Sequence, residues 1–298
     1  MKVAQFSGGR GESIGIELDG SWIDFTKAQT AHTWLTRRVQ ETPVSHLGNW
    51  IQSGTFDVRT IKTVLDFVRE QKLTTVFRLD PKAEMKAPIA RPLKIVALGL
   101  NYALHAAEGN FKVPDEPIIF MKAGSSVVGP GETVRIPKGL GRMDHEVELA
   151  VVIGRKATGV KKKNAFEYIA GYTIANDVSA RDLQTKDLEK KHPWFRSKSF
   201  DSFTPLGPWI VTGDEIKPPL HLDIECLVNG KIRQKANTRD MVFDIATQIE
   251  FISKYITLEP GDIVSTGTPD GIGPIKHGDE MMCRIERIGE LKNPVRNR

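Results

Sequence analysis

The chain has 298 residues, of which 40% are hydrophobic and 27% charged, and its formal net charge is +5. No apolar run approaches the roughly 18 residues of a membrane span, and the start of the sequence lacks the apolar stretch of a secretory signal. The two cysteines, Cys226 and Cys283, do not form a Cys-x-x-Cys pair, which excludes a disulfide framework and a zinc–thiolate site and fits a reducing cytoplasm.

The positive charge is compatible with nucleic acid and with a small anionic substrate. The only compact basic run, at 161–163, follows Gly159 and precedes an expected helix, so we interpret it as a solvated turn. No zinc-finger, basic-zipper or helix-turn-helix pattern is present. The sequence therefore predicts no nucleic-acid partner and no membrane partner.

Residues 1–90 predict a small amino-terminal α/β domain. Three short strands are expected, at 2–6, 13–18 and 22–25. Asp19-Gly20 between the last two is a strong signal for a tight hairpin. Apolar residues then recur at the spacing of a helix, at Ile61, Val64, Leu65 and Val68. Two prolines within 87–92 exclude a regular helix there and predict a linker.

Residues 91–298 predict a second, larger domain dominated by strands. The expected strands are 95–98, 118–120, 133–136, 146–153, 172–176, 209–212, 222–228, 263–265 and 281–285. Asn229-Gly230 marks another hairpin, and one helix is expected from the isoleucine spacing over 241–256. Because strands and helices do not alternate, the pattern favours a β-rich α+β fold, a barrel or sandwich with peripheral helices, over a doubly wound sheet.

Two carboxylates, Glu146 and Glu148, stand two residues apart at the start of the 146–153 strand. Residues i and i+2 of a strand share a face, roughly 6.5–7 Å apart, so the pair repels unless a positive charge lies between them. A half-buried strand with its glutamates in water would show the same pattern. Asp177, at the end of the next expected strand, adds a third carboxylate. Oxygen ligands alone favour a hard ion, Mg²⁺ first, then Mn²⁺ or Ca²⁺.

His105 and Glu108 are the candidates for acid–base chemistry. They share a face of a short helical turn between Asn101, an expected N-cap, and Gly109, an expected helix terminator. Glu108 could then orient and polarise His105 as a general base acting on water. Unrelated polar side chains on a surface turn are the alternative.

Several residues after Asp177 could contact an anionic substrate. Arg181 and Lys198 could grip a carboxylate or an enolate oxygen, and Gln184 lies close to Arg181 in the sequence. The glycine-rich turn at 266–273, which contains Thr268, lacks the phosphate-binding and dinucleotide fingerprints. Its amides and hydroxyl could still bind a carboxylate, although a simple turn would look the same.

Together these stretches resemble the fumarylacetoacetate hydrolase family. The likeness covers about residues 93–295, in the family's order, and is carried by five stretches: 99–102 with His105 and Glu108, 144–149, 176–184, 198–201 with 205–208, and 266–269 with 271–273. The resemblance implies a mixed β-sandwich roll, usually a homodimer. One departure is His145, where relatives often carry an aromatic residue.

The resemblance also implies roles for individual residues. Mg²⁺ or Mn²⁺ would be held by Glu146, Glu148 and Asp177. His105 and Glu108 would form a base dyad on a mobile lid. The bound 2-oxo acid would be contacted by four residues, of which the first also belongs to the catalytic set: Lys198, Arg181, Gln184 and Thr268.

The expected function is therefore a metal-dependent enzyme acting on a small 2-oxo acid. We expect first a C–C hydrolase of acylpyruvate type, because a positioned base such as His105 contributes about 10²–10⁴-fold in rate and suits activation of water. The metal would act as a Lewis acid on the ketone and stabilise the enolate. An oxaloacetate decarboxylase or oxo-diacid isomerase on the same site is the first alternative. A catalytically idle binding or scaffold protein is the second.

Overall fold

The computed structural model describes residues 1–9, 11–39 and 42–298. Within them lie nineteen strands: β1 (Lys2–Gly8), β2 (Gly11–Leu18), β3 (Ser21–Asp24), β4 (Glu84–Lys86), β5 (Ile95–Gly99), β6 (Ile118–Lys122), β7 (Val127–Val128), β8 (Val134–Ile136), β9 (Met143–His145), β10 (Val147–Ile153), β11 (Ile169–Asn176), β12 (Ser179–Ala180), β13 (Thr204–Thr212), β14 (Asp223–Val228), β15 (Lys231–Asn237), β16 (Ile263–Ser265), β17 (Gly273–Pro274), β18 (Glu280–Ile285) and β19 (Gly289–Asn297).

The same residues contain seven α-helices: α1 (Phe25–Arg37), α2 (Leu47–Gln52), α3 (Val58–Glu70), α4 (Ala103–Glu108), α5 (Arg181–Glu189), α6 (Phe195–Lys198) and α7 (Ile245–Tyr255). The helix expected over 241–256 begins only at Ile245, because Asp244 caps it by accepting the Thr247 amide at 2.7 Å. None of the helices in the described part of the chain has the length and apolar content needed to cross a membrane.

The strands form three sheets. The largest has the order β3-β2-β1-β13-β11-β10-β16-β5-β6, with β4 beside β1 and β7 beside β13. The second has the order β15-β14-β18-β19-β8, and the third is β12-β9-β17. Over the described residues the large sheet stays open between β3 and β6. A β-rich α+β fold is thus confirmed, as layered sheets and not as a closed barrel.

Strand β10 lies at the centre of the large sheet and is buried on both faces. Every second residue from Val147 to Ile153 packs in a core shared with the second sheet and α7. The opposite face, at Ala150 and Val152, packs in a core shared with β1, β2 and helices α1–α3. The expected aliphatic face is correct. The alternative of a half-buried strand with its glutamates in water is wrong, because both layers cover β10.

The amino-terminal strands extend the large sheet, since β1 pairs with β13. The stretch expected as a linker, 87–92, has no regular structure, but it is not an exposed connection: Ala87 and Ile89 are buried. Ile89 packs in the same core as Val3 and Ala150. A division of the chain near residue 90 stays a prediction.

Both dipeptide hairpin signals are confirmed. Asp19 and Gly20 join β2 to β3 with φ of 50° and 79°, and Asn229 and Gly230 join β14 to β15 with φ of 52° and 75°. Two consecutive positive φ values match the twist of antiparallel strands, which is why asparagine or aspartate followed by glycine is favoured there.

Candidate metal centre and active-site cavity

The pairing of β10 with β11 brings the three predicted carboxylates together. Val147 lies opposite Asn176, and just beyond this pair the Asp177 amide donates to the Glu146 carbonyl at 2.8 Å. Glu148 follows as the second residue of β10. Carboxylate oxygens of Glu146, Glu148 and Asp177 lie within 4.8 Å of one another, and all three residues are buried. Strand register, and not proximity in sequence, places Asp177 beside the other two.

Three basic side chains surround two of these carboxylates. Lys198 Nζ donates to Glu146 Oε2 at 2.7 Å and to Asp177 Oδ2 at 2.6 Å. Lys122 Nζ donates to Asp177 Oδ1 at 2.5 Å. Arg181 bonds Glu146 Oε1 through Nη2. Charge-assisted hydrogen bonds of this kind keep a buried carboxylate ionised.

Glu148 has no such cation bonded to it among the described residues. Its Oε2 accepts from Ser265 Oγ at 2.5 Å and from the Gly267 amide at 3.0 Å. Within the described residues no hydrogen bond reaches its Oε1. One oxygen of this buried carboxylate therefore remains available to a ligand.

The titration of the two glutamates reflects this difference. Burial and the charge of Asp177 raise the pKa of Glu148 to about 8. Burial would also raise the pKa of Glu146, but Lys198 and Arg181 outweigh it and hold that pKa below its ordinary value. The trio thus offers only oxygen donors and lacks positive charge at Glu148. These properties fit a hard divalent cation such as Mg²⁺ or Mn²⁺.

Helix α4 places His105 and Glu108 one turn apart at the mouth of the cavity above the carboxylates. His105 Nδ1 lies 3.3 Å from Glu108 Oε2, and Glu108 Oε1 accepts from the Gly271 amide at 3.2 Å. The His105 side chain is 12% exposed and that of Glu108 35%. Both side chains of the dyad are therefore partly buried, and a hydrogen bond links the dyad to the glycine-rich turn.

The expected N-cap of this helix is wrong, and Gly109 ends the helix as expected, but at the C-cap instead of the C′ position. The residue at the N-cap is Tyr102, and no side chain caps the helix. Asn101 is fully buried instead, where its Nδ2 donates to the Thr266 carbonyl at 2.7 Å and its Oδ1 accepts from the Phe243 amide at 2.8 Å. Gly109 follows the helix with φ of −84°, outside the left-handed region. Asn101 holds the loop before the helix against the strand-end turn.

The residues predicted to contact substrate differ in which of their hydrogen-bonding groups are already bonded within the protein. Arg181 donates through Nη1 to Gln184 Oε1, which leaves the Gln184 amide nitrogen with no hydrogen bond to the described residues. Thr268 Oγ1 donates its proton to the Val147 carbonyl at 2.9 Å and accepts from Gln234 Nε2 at 2.7 Å. The hydroxyl of Thr268 is thus already committed, and Gln184 is the freer donor.

All nine predicted site residues line one cavity of about 440 Å³, a size suited to a small ligand. Its apolar lining comes from seven further residues: Leu98, Leu100, Phe111, Phe120, Leu188, Trp194 and Ile272. Gly99 is required at this wall, because a Cβ there would lie 2.7 Å from the Trp194 ring.

Sequence reasoning missed three buried residues that hold the site together. Lys122 donates to Asp177 and to the Phe203 carbonyl. Asp144 has no exposed surface and accepts from two arginine side chains described below. Gln234 is also fully buried: its Oε1 lies 2.9 Å from Nδ1 of His145, the residue that departs from the family pattern, and its Nε2 reaches Thr268. The only sequence signal for them was a polar residue within or beside an expected strand.

The chain is similar to known proteins over most of its length. Residues 94–296 match the family model described as fumarylacetoacetate (FAA) hydrolase C-terminal. The mitochondrial oxaloacetate tautomerase of Xenopus laevis is 40% identical over 306 residues, which cover 99% of this chain and 90% of that protein.

Two solved structures extend the comparison. The fumarylacetoacetate hydrolase of psychrophilic Exiguobacterium antarcticum has a TM-score of 0.80 at 33% identity, covering 100% of both chains. The maleylpyruvate hydrolase of Sphingobium sp. SYK-6, solved with manganese(II) and pyruvate, has a TM-score of 0.75 at 31% identity, covering 100% of this chain and 99% of that chain. This chain belongs to the fumarylacetoacetate hydrolase family.

Proposed function

We propose that this protein is a metal-dependent enzyme that interconverts the keto and enol forms of a small 2-oxo acid, with oxaloacetate as the first candidate substrate. One observation carries the proposal: the carboxylate trio Glu146, Glu148 and Asp177 lines the same cavity as the His105–Glu108 dyad. The near full-length similarity to an oxaloacetate tautomerase supports this reaction over the others known in the family.

The three carboxylates would hold the metal. Bound Mg²⁺ or Mn²⁺ supplies Lewis acidity at the 2-oxo group. Lys198 adds a fixed positive charge, because Asp177 and Glu146 outweigh the effect of burial and raise its pKa. A cation at this position stabilises negative charge that develops on the substrate's C2 oxygen.

Enolisation moves one proton. A base takes it from C3, the C3–H electron pair forms the C2–C3 double bond, and the carbonyl π pair moves to the C2 oxygen, which takes up a proton. We assign the base to His105. With Nδ1 directed at Glu108 Oε2 at 3.3 Å, the dyad selects the tautomer whose Nε2 is free to accept the C3 proton.

Hydrolysis of a C–C bond is the second candidate. In that reaction His105 takes a proton from water, the hydroxide adds to the distal carbonyl, and the C–C bond breaks with its electron pair leaving as the enolate of pyruvate, which is then protonated. The similarity to a maleylpyruvate hydrolase favours it. Both reactions pass through the enolate, and only hydrolysis consumes water.

An activity comparison separates the two candidates. The purified protein with Mg²⁺ is mixed with enol-oxaloacetate, and loss of the enol absorbance is followed beside cleavage of an acylpyruvate. We expect ketonisation well above the buffer rate and its suppression by a chelator. Cleavage of the acylpyruvate with ketonisation at the buffer rate would instead support the hydrolase. A protein inactive on both would contradict the proposal.

Three finer points are part of the same proposal. Mg²⁺ is the proposed working metal, since the donor set is entirely oxygen. The proposed assembly is a homodimer, which rests on the family resemblance. The proposed location is the cytoplasm, which rests on the sparse cysteine content.

A further inference from the structure

Two arginines beside the metal centre differ in how much of each guanidinium is already bonded. Asp144 accepts from Arg142 Nε at 2.6 Å through one oxygen and from Arg181 Nε at 2.8 Å through the other. Arg181 then bonds Gln184 through Nη1 and Glu146 through Nη2. Among the described residues nothing accepts from Nη1 or Nη2 of Arg142. Its outer fork is therefore the uncommitted one.

The backbone of Arg142 is firmly placed. Its amide donates to Asp182 Oδ2 at 3.1 Å, and its carbonyl accepts from the Arg181 amide at 2.8 Å. The preceding residue must be glycine, because Gly141 has φ of 79° and a Cβ there would meet the Asp182 carboxylate. The side chain itself is 45% exposed and lines the cavity. The backbone of Arg142 is thus held in place, and the outer nitrogens of its guanidinium remain available to a ligand in the cavity.

The charges around Arg142 favour an anion. Among the residues that the structure describes, Asp144 is the one carboxylate that bonds the side chain of Arg142, and it shares its single negative charge with Arg181. Arg181 and Lys198 are already paired with carboxylates of the metal centre. Of these three cations Arg142 alone has outer guanidinium nitrogens with no acceptor among the described residues. Its planar fork matches a carboxylate in two parallel hydrogen bonds.

We propose that Arg142 binds the second carboxylate of a 2-oxo diacid and so selects a diacid over a 2-oxo acid with a neutral distal group. This inference rests on the proposed function, in which the 2-oxo end of the substrate lies at the metal centre. The apolar residues that line the rest of the cavity, such as Phe111 and Leu188, offer a distal carboxylate no such partner. A neutral acylpyruvate would leave the fork of Arg142 unused.

Binding, and not turnover, tests this assignment. Calorimetry in saturating Mg²⁺ would compare two ligands: 3,3-difluorooxaloacetate, which has no C3 proton and cannot enolise, and pyruvate, which lacks the distal carboxylate. Loss of a charge-assisted pair corresponds to about 10- to 100-fold in affinity. Arg142→Gln should therefore bind difluorooxaloacetate about 10- to 100-fold more weakly and pyruvate within about 2-fold of wild type.

Two further variants keep the test decisive. Arg142→Lys retains the charge without the fork, so we expect an intermediate loss that is confined to the diacid; it decides the matter if Arg142→Gln does not fold. Arg59→Gln, whose side chain is 92% exposed on α3, is the matched control and should bind both ligands as wild type does. Equal weakening of both ligands by the Arg142 variants, or no weakening of either, would overturn the inference.

The outcome is separable from the proposed function. A wild-type protein that binds difluorooxaloacetate through Arg142 but turns over no oxaloacetate would overturn the tautomerase proposal and leave the carboxylate site standing. Suppose instead that the protein ketonises oxaloacetate and that Arg142→Gln binds each ligand as tightly as wild type does. That result would leave the tautomerase proposal standing and overturn the assignment of Arg142.

Discussion

The floor and the mouth of the cavity are held in place in different ways. The floor consists of Glu146, Glu148, Asp177, Lys122 and Lys198, each at most 3% exposed. Short hydrogen bonds join the two lysines to Glu146 and Asp177, and Glu148 is held by Ser265 and the Gly267 amide. The mouth is the α4 segment with its dyad. We infer that the floor residues are required for any catalytic activity and that the mouth residues set the rate of proton transfer.

The mouth is held by much less. Helix α4 has six residues and no side-chain cap, and helices this short are marginal without tertiary support. Its Leu104 is 68% exposed. Within the described residues the dyad side chains reach the rest of the cavity through one hydrogen bond, from the Gly271 amide to Glu108 Oε1 at 3.2 Å. Segments with few buried contacts are the ones that open locally, which suits a part that closes over substrate.

The largest expected effect comes from the floor. Glu148→Gln removes a charged ligand oxygen while keeping its shape, so we expect no detectable turnover and a loss of Mn²⁺ affinity beyond the 10- to 100-fold typical of outer partners. Calorimetric titration with Mn²⁺ measures the affinity. The matched control is Glu167→Gln, an exposed glutamate, which should behave as wild type.

Folding of this variant can be checked separately. The pKa of Glu148 is raised from 4.5 to about 8 in the folded protein. Between these pH values the carboxyl ionises more readily in the unfolded chain, so the free energy of unfolding of the metal-free protein falls as the pH rises toward 8. The amide avoids that cost. Metal-free Glu148→Gln should therefore melt no lower than wild type at pH 8, and a markedly lower melting temperature would mean that the lost activity reports unfolding.

The next effect in size belongs to the mouth. His105→Gln removes the proposed base, so kcat should fall by about 10²–10⁴-fold while Mn²⁺ affinity stays within about 2-fold, since His105 is not among the proposed ligands. Steady-state kinetics and the same Mn²⁺ titration measure the two quantities. If His105→Gln lowered Mn²⁺ affinity as much as Glu148→Gln does, the separate roles inferred for floor and mouth would be contradicted.

The pH dependence of metal binding sharpens the comparison. Because the pKa of Glu148 is raised to about 8, the metal must displace a proton below that pH. Mn²⁺ affinity should rise about tenfold per pH unit between pH 6 and 8 and level off above. Mn²⁺ titrations at several pH values would show this slope. An affinity that does not change over this range would contradict the assignment of Glu148 as a ligand.

The smallest expected effect is that of Glu108→Gln. The amide oxygen can still accept from the Gly271 amide, so the segment keeps its tie, but the charge that polarises His105 is lost. We expect kcat to fall about 10-fold, less than for His105→Gln, with Mn²⁺ affinity unchanged.

The sequence predicted the buried strands of the large sheet better than it predicted the helices and edge strands around them. Apolar runs such as 146–153 mark buried strands directly. Helix α1 was missed, because it begins at Phe25 directly after β3 and buries only Phe25, Ala28 and Thr33. Strand β15 was missed because its residues are mostly polar: it is the edge strand of the second sheet and four of its seven residues are exposed.

The site shows the same division. Glu146, Glu148 and Asp177 belong to short sequence patterns, so they were found. Lys122, Asp144 and Gln234 act through partners far away in sequence: the bond from Lys122 to Asp177 spans 55 residues, and the contact between His145 and Gln234 spans 89. These contacts arise from packing between strands that are not paired with each other, and no local spacing records them.

The most direct test of the account is the position of the metal. A crystal of the full chain grown with Mn²⁺ would be measured for anomalous scattering at the manganese edge. The account predicts one strong peak bounded by the carboxylates of Glu146, Glu148 and Asp177, and its loss in Glu148→Gln. A peak elsewhere, or none at saturating Mn²⁺, would contradict the central claim that these three side chains form a metal centre.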